Sequence, residues 1–137
     1  MAVVKELLKE DKNGTLSFGD YTLSAKSKKS DFPFEGSSYK IKTFSEITKL
    51  EKDDNFLYES VPGTAVFGFR EDENGVSFTV NGDSDAEITL GLIPETEYDV
   101  KIEGKDDGVM KTNLGGKLTI SAELENNSGI AVEITKR

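Results

Sequence analysis

From Thr64 to Lys136, apolar and polar residues alternate in short runs, and Gly, Asn, Asp or Pro breaks the runs at nearly regular intervals. A period of two marks strands with one buried face, and turn signals roughly every 8–12 residues mark an all-β sandwich or barrel. Ala65–Phe69, Val76/Phe78/Val80, Ile88/Leu90/Leu92, Tyr98/Val100/Ile102, Val109-Met110, Leu118/Ile120/Ala122/Leu124 and Ile130/Val132/Ile134 are the expected strands. Turns fall at Glu73-Asn74-Gly75, Asn81-Gly82, Asp106-Asp107-Gly108 and Asn113 to Gly116. Glu87, Asp99, Glu103, Glu123 and Glu133 occupy the outward positions, where charge also guards strand edges. Tyr98, at a sandwich corner, is expected to anchor a loop through its hydroxyl.

The first 60 residues are less regular. Val3–Leu8 fits a short helix or a strand equally, and Asn13-Gly14 is a two-residue hairpin turn leading to Leu16, Phe18, Tyr21 and Leu23 as strand. Lys26–Ser30 reads as a polar basic loop, with Phe32-Pro33-Phe34 in a loop after it. Tyr39, Ile41 and Thr43 alternate with outward Lys40 and Lys42; Ile47 and Leu50, then Phe56-Leu57-Tyr58, form a hairpin across Lys52-Asp53-Asp54. Val61-Pro62-Gly63-Thr64 suits a type II turn and is taken as a boundary. The expected architecture is an antiparallel β-sandwich, Ig-like or jelly-roll-like. It has two packed halves, 1–62 and 63–137, which could be one continuous domain.

Charge separates the halves. The chain of 137 residues carries a net −9, with 10 Lys against 11 Asp/Glu in residues 1–62 and 7 Lys/Arg against 15 Asp/Glu in 63–137. An acidic protein is a poor partner for phosphate backbones and anionic lipid, so neither nucleic acid nor membrane is expected. No apolar run is long enough to span a bilayer, and the start lacks the regions of a secretory signal. Cysteine is absent, which fits a reducing compartment, and a cytoplasmic location is expected. In that setting the glycosylation pattern at Asn126-Asn127-Ser128 carries no weight. Histidine is also absent, which removes the commonest general base and most transition-metal sites.

Residues 91–135, with Pro94-Glu95-Thr96-Glu97-Tyr98-Asp99-Val100 ahead of Thr112-Asn113-Leu114-Gly115-Gly116-Lys117-Leu118, resemble the small β-sandwich that ends many bacterial polysaccharide-active enzymes. The whole chain resembles a family of small proteins from anaerobic Firmicutes whose members often carry the label endosialidase. The resemblance rests on Ser17-Phe18-Gly19-Asp20-Tyr21, Tyr39–Thr43, Glu46–Leu50, Tyr58–Val66 and Lys111–Leu118. The first resemblance implies a carbohydrate-binding accessory module, the second a glycosidase.

A sialidase site clamps the sugar carboxylate with three arginines, because each guanidinium fork supplies affinity and orientation together. Here there are two, Arg70 and Arg137, and no tryptophan. The expected function is therefore non-enzymatic: a structural or protein-interaction β-domain, plausibly self-associating, with glycan binding as the alternative and glycosidase activity third. Phe34, Tyr39, Phe56 and Tyr58, in the near-neutral half, are the candidate contact aromatics for a protein partner or a glycan. Truncating Tyr39 and Tyr58 together is expected to weaken association and leave the fold intact. Asp83, Asp85 and Glu87 with Asp106 and Asp107 cluster hard oxygen ligands beside turns, the donor type calcium takes, so Ca²⁺ is the one candidate cofactor.

Overall fold

Among the described residues strand follows strand with no helix between, because most apolar runs are short, alternate and end at a residue that tolerates a turn. The computed structural model describes residues 2–125 and 129–137; Asn126-Asn127-Ser128 lie outside them. The strands are β1 (Leu8–Glu10), β2 (Leu16–Phe18), β3 (Ser27–Phe34), β4 (Ser37–Phe44), β5 (Ile47–Lys52), β6 (Asn55–Val61), β7 (Ala65–Asp72), β8 (Gly75–Asn81), β9 (Ala86–Gly91), β10 (Glu97–Ile102), β11 (Lys105–Lys111), β12 (Lys117–Ala122) and β13 (Ile130–Lys136). They form two antiparallel sheets. The first runs β1-β2-β7-β8-β13-β10-β11 and the second β12-β9-β6-β5-β4-β3. No helix among the described residues is long and apolar enough to cross a membrane.

The chain is an all-β sandwich, and its two halves are woven together. β1 and β2 join the sheet of β7, while β9 and β12 join the sheet of β3–β6. A single core takes Leu8, Phe18, Ile41 and Leu50 from the first half and Val80, Ile88, Leu118 and Ile134 from the second. The boundary expected near residue 62 is a crossing between sheets, not a division of the fold. Its turn is also not type II: the Val61–Pro62 bond is cis, and Gly63 is absent from the residues with positive φ. Gly63 serves close approach instead, since a β-carbon there would lie 2.0 Å from the Phe44 carbonyl oxygen.

Two expected loops are strands. Lys26–Ser30 runs into β3, an outer strand whose early residues face water on both sides, so no alternation betrays it. Phe32 and Phe34 lie on that strand, beyond a bulge. Asp106-Asp107-Gly108 falls within β11, and the hairpin turns one step earlier, at Glu103 and Gly104, both with positive φ. That is the geometry of a type I′ turn. By contrast, Tyr21 lies in a turn after β2 and Leu23 in the irregular segment that follows it, rather than on a strand. Tyr98 is buried and its hydroxyl accepts the Ile93 N–H at 3.2 Å, the loop anchor expected of it.

Candidate functional site

Three of the four candidate contact aromatics belong to the interior. Tyr58 is 0% exposed and packs edge-on against Phe18, Phe69 and Phe78, with ring centroids 5.2, 6.4 and 5.7 Å away. The reason is a bulge. Leu50 pairs with Tyr58 and Glu51 with Phe56, so Leu57 is an extra residue that moves Tyr58 to the inner face. Tyr39 and Phe34, 5% and 8% exposed, stack edge-on at 5.8 Å under the outer strands. Phe56 alone stays half-buried on the outer face, beneath the Lys117 ammonium at 4.8 Å. Truncating Tyr39 and Tyr58 would therefore unpack the core, where losing a large aromatic costs about 3–5 kcal/mol.

The polar groups inside the sandwich are consumed by structure. The Tyr58 hydroxyl meets Thr64 Oγ1 at 2.8 Å and Ser60 Oγ meets the same atom at 2.7 Å. Thr48 Oγ1 donates to the Thr64 carbonyl at 2.8 Å and accepts the Thr64 N–H at 3.1 Å. Its hydrogen is thereby committed, so Thr43 Oγ1, 2.8 Å away, must donate to it, while accepting the Asp20 N–H at 3.0 Å. Gly19, at φ +99°, lies against the Thr64 carbonyl, where a β-carbon would come within 2.3 Å. Segments 17–21, 46–50 and 58–66 thus meet at one buried seam that ties the second sheet to the start of β7. Burial pushes the Tyr58 hydroxyl well above the ordinary tyrosine value, and its hydroxyl partners offset only part of that.

A cleft of about 200 Å³ opens between β2, β7 and the ends of β3–β5, lined among others by Glu35, Tyr39, Lys52, Arg70 and Glu71. Lys52 Nζ bonds Glu71 Oε1 at 3.1 Å and links the two sheets. Burial disfavours the Lys52 ammonium, yet the Glu71 hydrogen bond and charge prevail and hold it above the usual lysine value. Burial likewise raises Tyr39, against the opposing pull of Lys52. Both side chains keep their protons at neutral pH, as an ion-pair strut does and an activated lysine base does not.

The candidate calcium ligands do not converge. Asp85 Oδ1 accepts the N–H groups of Leu124 and Glu125 at 3.0 and 3.3 Å, and Asp106 Oδ1 accepts the Gly108 N–H at 2.9 Å. Asp83, Asp85 and Glu87 stand at and before β9 in one sheet, Asp106 and Asp107 on β11 in the other. Among the described residues, no group of three acidic side chains could hold a metal ion.

Two surface features are less easily explained by structure alone. The first is an edge. Of the four outer strands, β1 has three residues, and Lys29 Nζ covers the carbonyls of Glu6 and Leu8 at 3.3 and 3.0 Å. β3 carries a bulge, Pro33 and three charged side chains, and β11 pairs across a bulge with Lys105, Asp106, Asp107 and Lys111 along it. Short strands, bulges, proline and charge all blunt an edge. β12 has none of these between Lys117 and its end, and pairs with β9 one-to-one over six residues.

Leu92 N–H bonds the Gly116 carbonyl, and bonded pairs alternate in an antiparallel ladder. Leu118, Ile120 and Ala122 therefore aim their main-chain groups at β9, while Thr119 and Ser121 aim theirs outward. Lys117 would do the same, but Asn113 takes both its N–H and its carbonyl. The second feature is a line of lysines on the outer face of β3, β4 and β5. Compared with family models, curated proteins and solved structures, the chain matches none.

Proposed function

We propose that this protein is a non-enzymatic interaction domain that associates with a second copy of itself by pairing β12 with β12. The observation that carries the reading is the contrast among the four outer strands: three are blunted, and β12 presents main chain at Thr119 and Ser121 that has no partner among the described residues. A two-fold axis through Ile120 gives a self-complementary antiparallel register. Thr119 then faces Ser121 of the other copy, and their four outward N–H and C=O groups satisfy one another on each side of the axis. Leu118 faces Ala122 on the inner side, and Lys117 stands opposite Glu123. Strand addition of this kind draws affinity from main-chain bonds and specificity from the alternating side chains. The interior hydroxyls and the Lys52–Glu71 pair already have partners within the chain, which favours binding over chemistry.

Light scattering over a concentration range tests the proposal. The wild type is expected to reach twice the 15.0 kDa chain mass. Ser121→Pro removes one outward N–H, tolerated on an edge strand, and should hold the protein at the single-chain mass. Ser121→Lys, at an exposed side chain, is a second route to the same outcome. A wild type of single-chain mass throughout, or folded variants that keep the double mass, would refute it.

A further inference from the structure

Lys28 pairs with Lys42 across β3 and β4, and Lys42 with Lys49 across β4 and β5. Three lysines thus stand side by side in one cross-strand row, spaced by the roughly 4.8 Å between neighbouring strands. Lys40 stands in the next row, opposite Glu51. Lys40 and Lys49 share that one carboxylate, at 3.6 and 3.9 Å. Lys28 and Lys42 have no ion-pair partner among the described residues. Like charges directly opposite on a sheet destabilise it. In a chain with 26 acidic and 17 basic residues, the row is not forced by a shortage of acids. The fold has brought four of the ten lysines of the near-neutral first half, Lys28, Lys40, Lys42 and Lys49, onto one face.

We infer that this face binds an acidic polysaccharide, a linear chain with carboxylate or sulfate groups spaced along it. The row spans three neighbouring strands, so it suits successive charges on a polymer better than one compact anion. The lysines border a shallow hollow of about 280 Å³, lined by Lys28, Ser30, Lys40, Lys42, Lys49 and Glu51. No aromatic or apolar side chain lines it. A nucleobase therefore has no stacking platform and a peptide has no anchoring pocket, while ammonium and hydroxyl donors remain for sugar carboxylates and hydroxyls. The same row continues through Glu59 to Thr89 and Thr119, whose hydroxyls meet at 3.0 Å. Glu59 and the net charge of −9 weaken attraction to any polyanion, so what favours a glycan over a nucleic acid is the lack of a stacking platform in the hollow.

The test is calorimetric titration with polygalacturonate and with dextran sulfate, at low and at physiological salt, with uncharged dextran and a single-stranded oligonucleotide alongside. Both acidic polysaccharides are expected to bind, more weakly as salt rises, and dextran is not. The triple variant Lys28→Ser/Lys42→Thr/Lys49→Thr should lose about tenfold or more in affinity. Lys105→Ser/Lys111→Ser on β11 should stay within about twofold of wild type. If the triple variant melts below the wild type, Lys42→Gln alone carries the test, with an expected loss of about threefold. Ser121→Pro should bind as the wild type does, which separates this inference from self-association. Absence of binding at low salt, equal binding by the lysine variants, or tighter binding of the oligonucleotide would overturn it.

Discussion

Thr48 shows how a single hydroxyl joins the two sheets. Its oxygen serves both main-chain groups of Thr64 and receives Thr43, all without access to water. Thr48→Val keeps the shape and leaves a buried N–H and carbonyl unpaired, a loss of about 1–3 kcal/mol that urea denaturation would register. Asp54 is the opposite case. It holds φ of 66° in the turn between β5 and β6, beside Asp53 at 50°. Asp53 contributes there by accepting the Ser38 N–H at 2.9 Å, whereas Asp54→Gly should relieve left-handed strain and stabilise the chain by up to about 1 kcal/mol in the same assay.

Titration acts at this scale too. Lys52 and Tyr58 both have folded values raised above their unfolded ones. What each contributes is complete below the unfolded values, about 10.4 for lysine and 10 for tyrosine, and disappears as pH rises through the folded values. Thermal melts should therefore hold steady to about pH 9.5 and fall beyond 10, with a shallower fall in Tyr58→Phe.

Strands are where the residue pattern succeeds or fails. β8, β9, β10, β12 and β13 follow their alternation closely, because one face is core and the other water, while in β7 a register shift between Phe67 and Arg70 breaks the alternation. β3 and β11 are outer strands with little buried surface, so their residues read as loop or turn although their main chain is paired on one side. Tyr58 was hidden for another reason: a bulge at Leu57 reverses the faces within a three-residue apolar run, and no composition signal marks a bulge without glycine. The lysine row carries its own prediction. Lys42→Thr removes repulsion from both Lys28 and Lys49 and places a β-branched residue on the strand, so it should raise stability by about 0.2–1 kcal/mol, as a thermal or urea melt would show.

At the scale of the molecule, the charge sum and the charge placement tell different stories. A net −9 argues against anionic partners, yet the sheet order lays Lys28, Lys42 and Lys49 in line. That line was not legible in the sequence, because it depends on which strands are neighbours and in what register. The same holds for β12. Its freedom from charge between Lys117 and Glu123 can be read directly, but only the topology shows that it ends a sheet. The woven halves have the same origin: local patterns define strands, and the six crossings between sheets decide which strands meet.

Residue-resolved amide hydrogen exchange tests the central claim most directly. Within one chain the amides of Thr119 and Ser121 point away from β9. Association through β12 predicts that both are strongly protected at concentrations where the mass has doubled, and that dilution or Ser121→Lys returns Thr119 to rapid exchange. Rapid exchange at both amides in the doubled species would contradict the account and place the contact elsewhere.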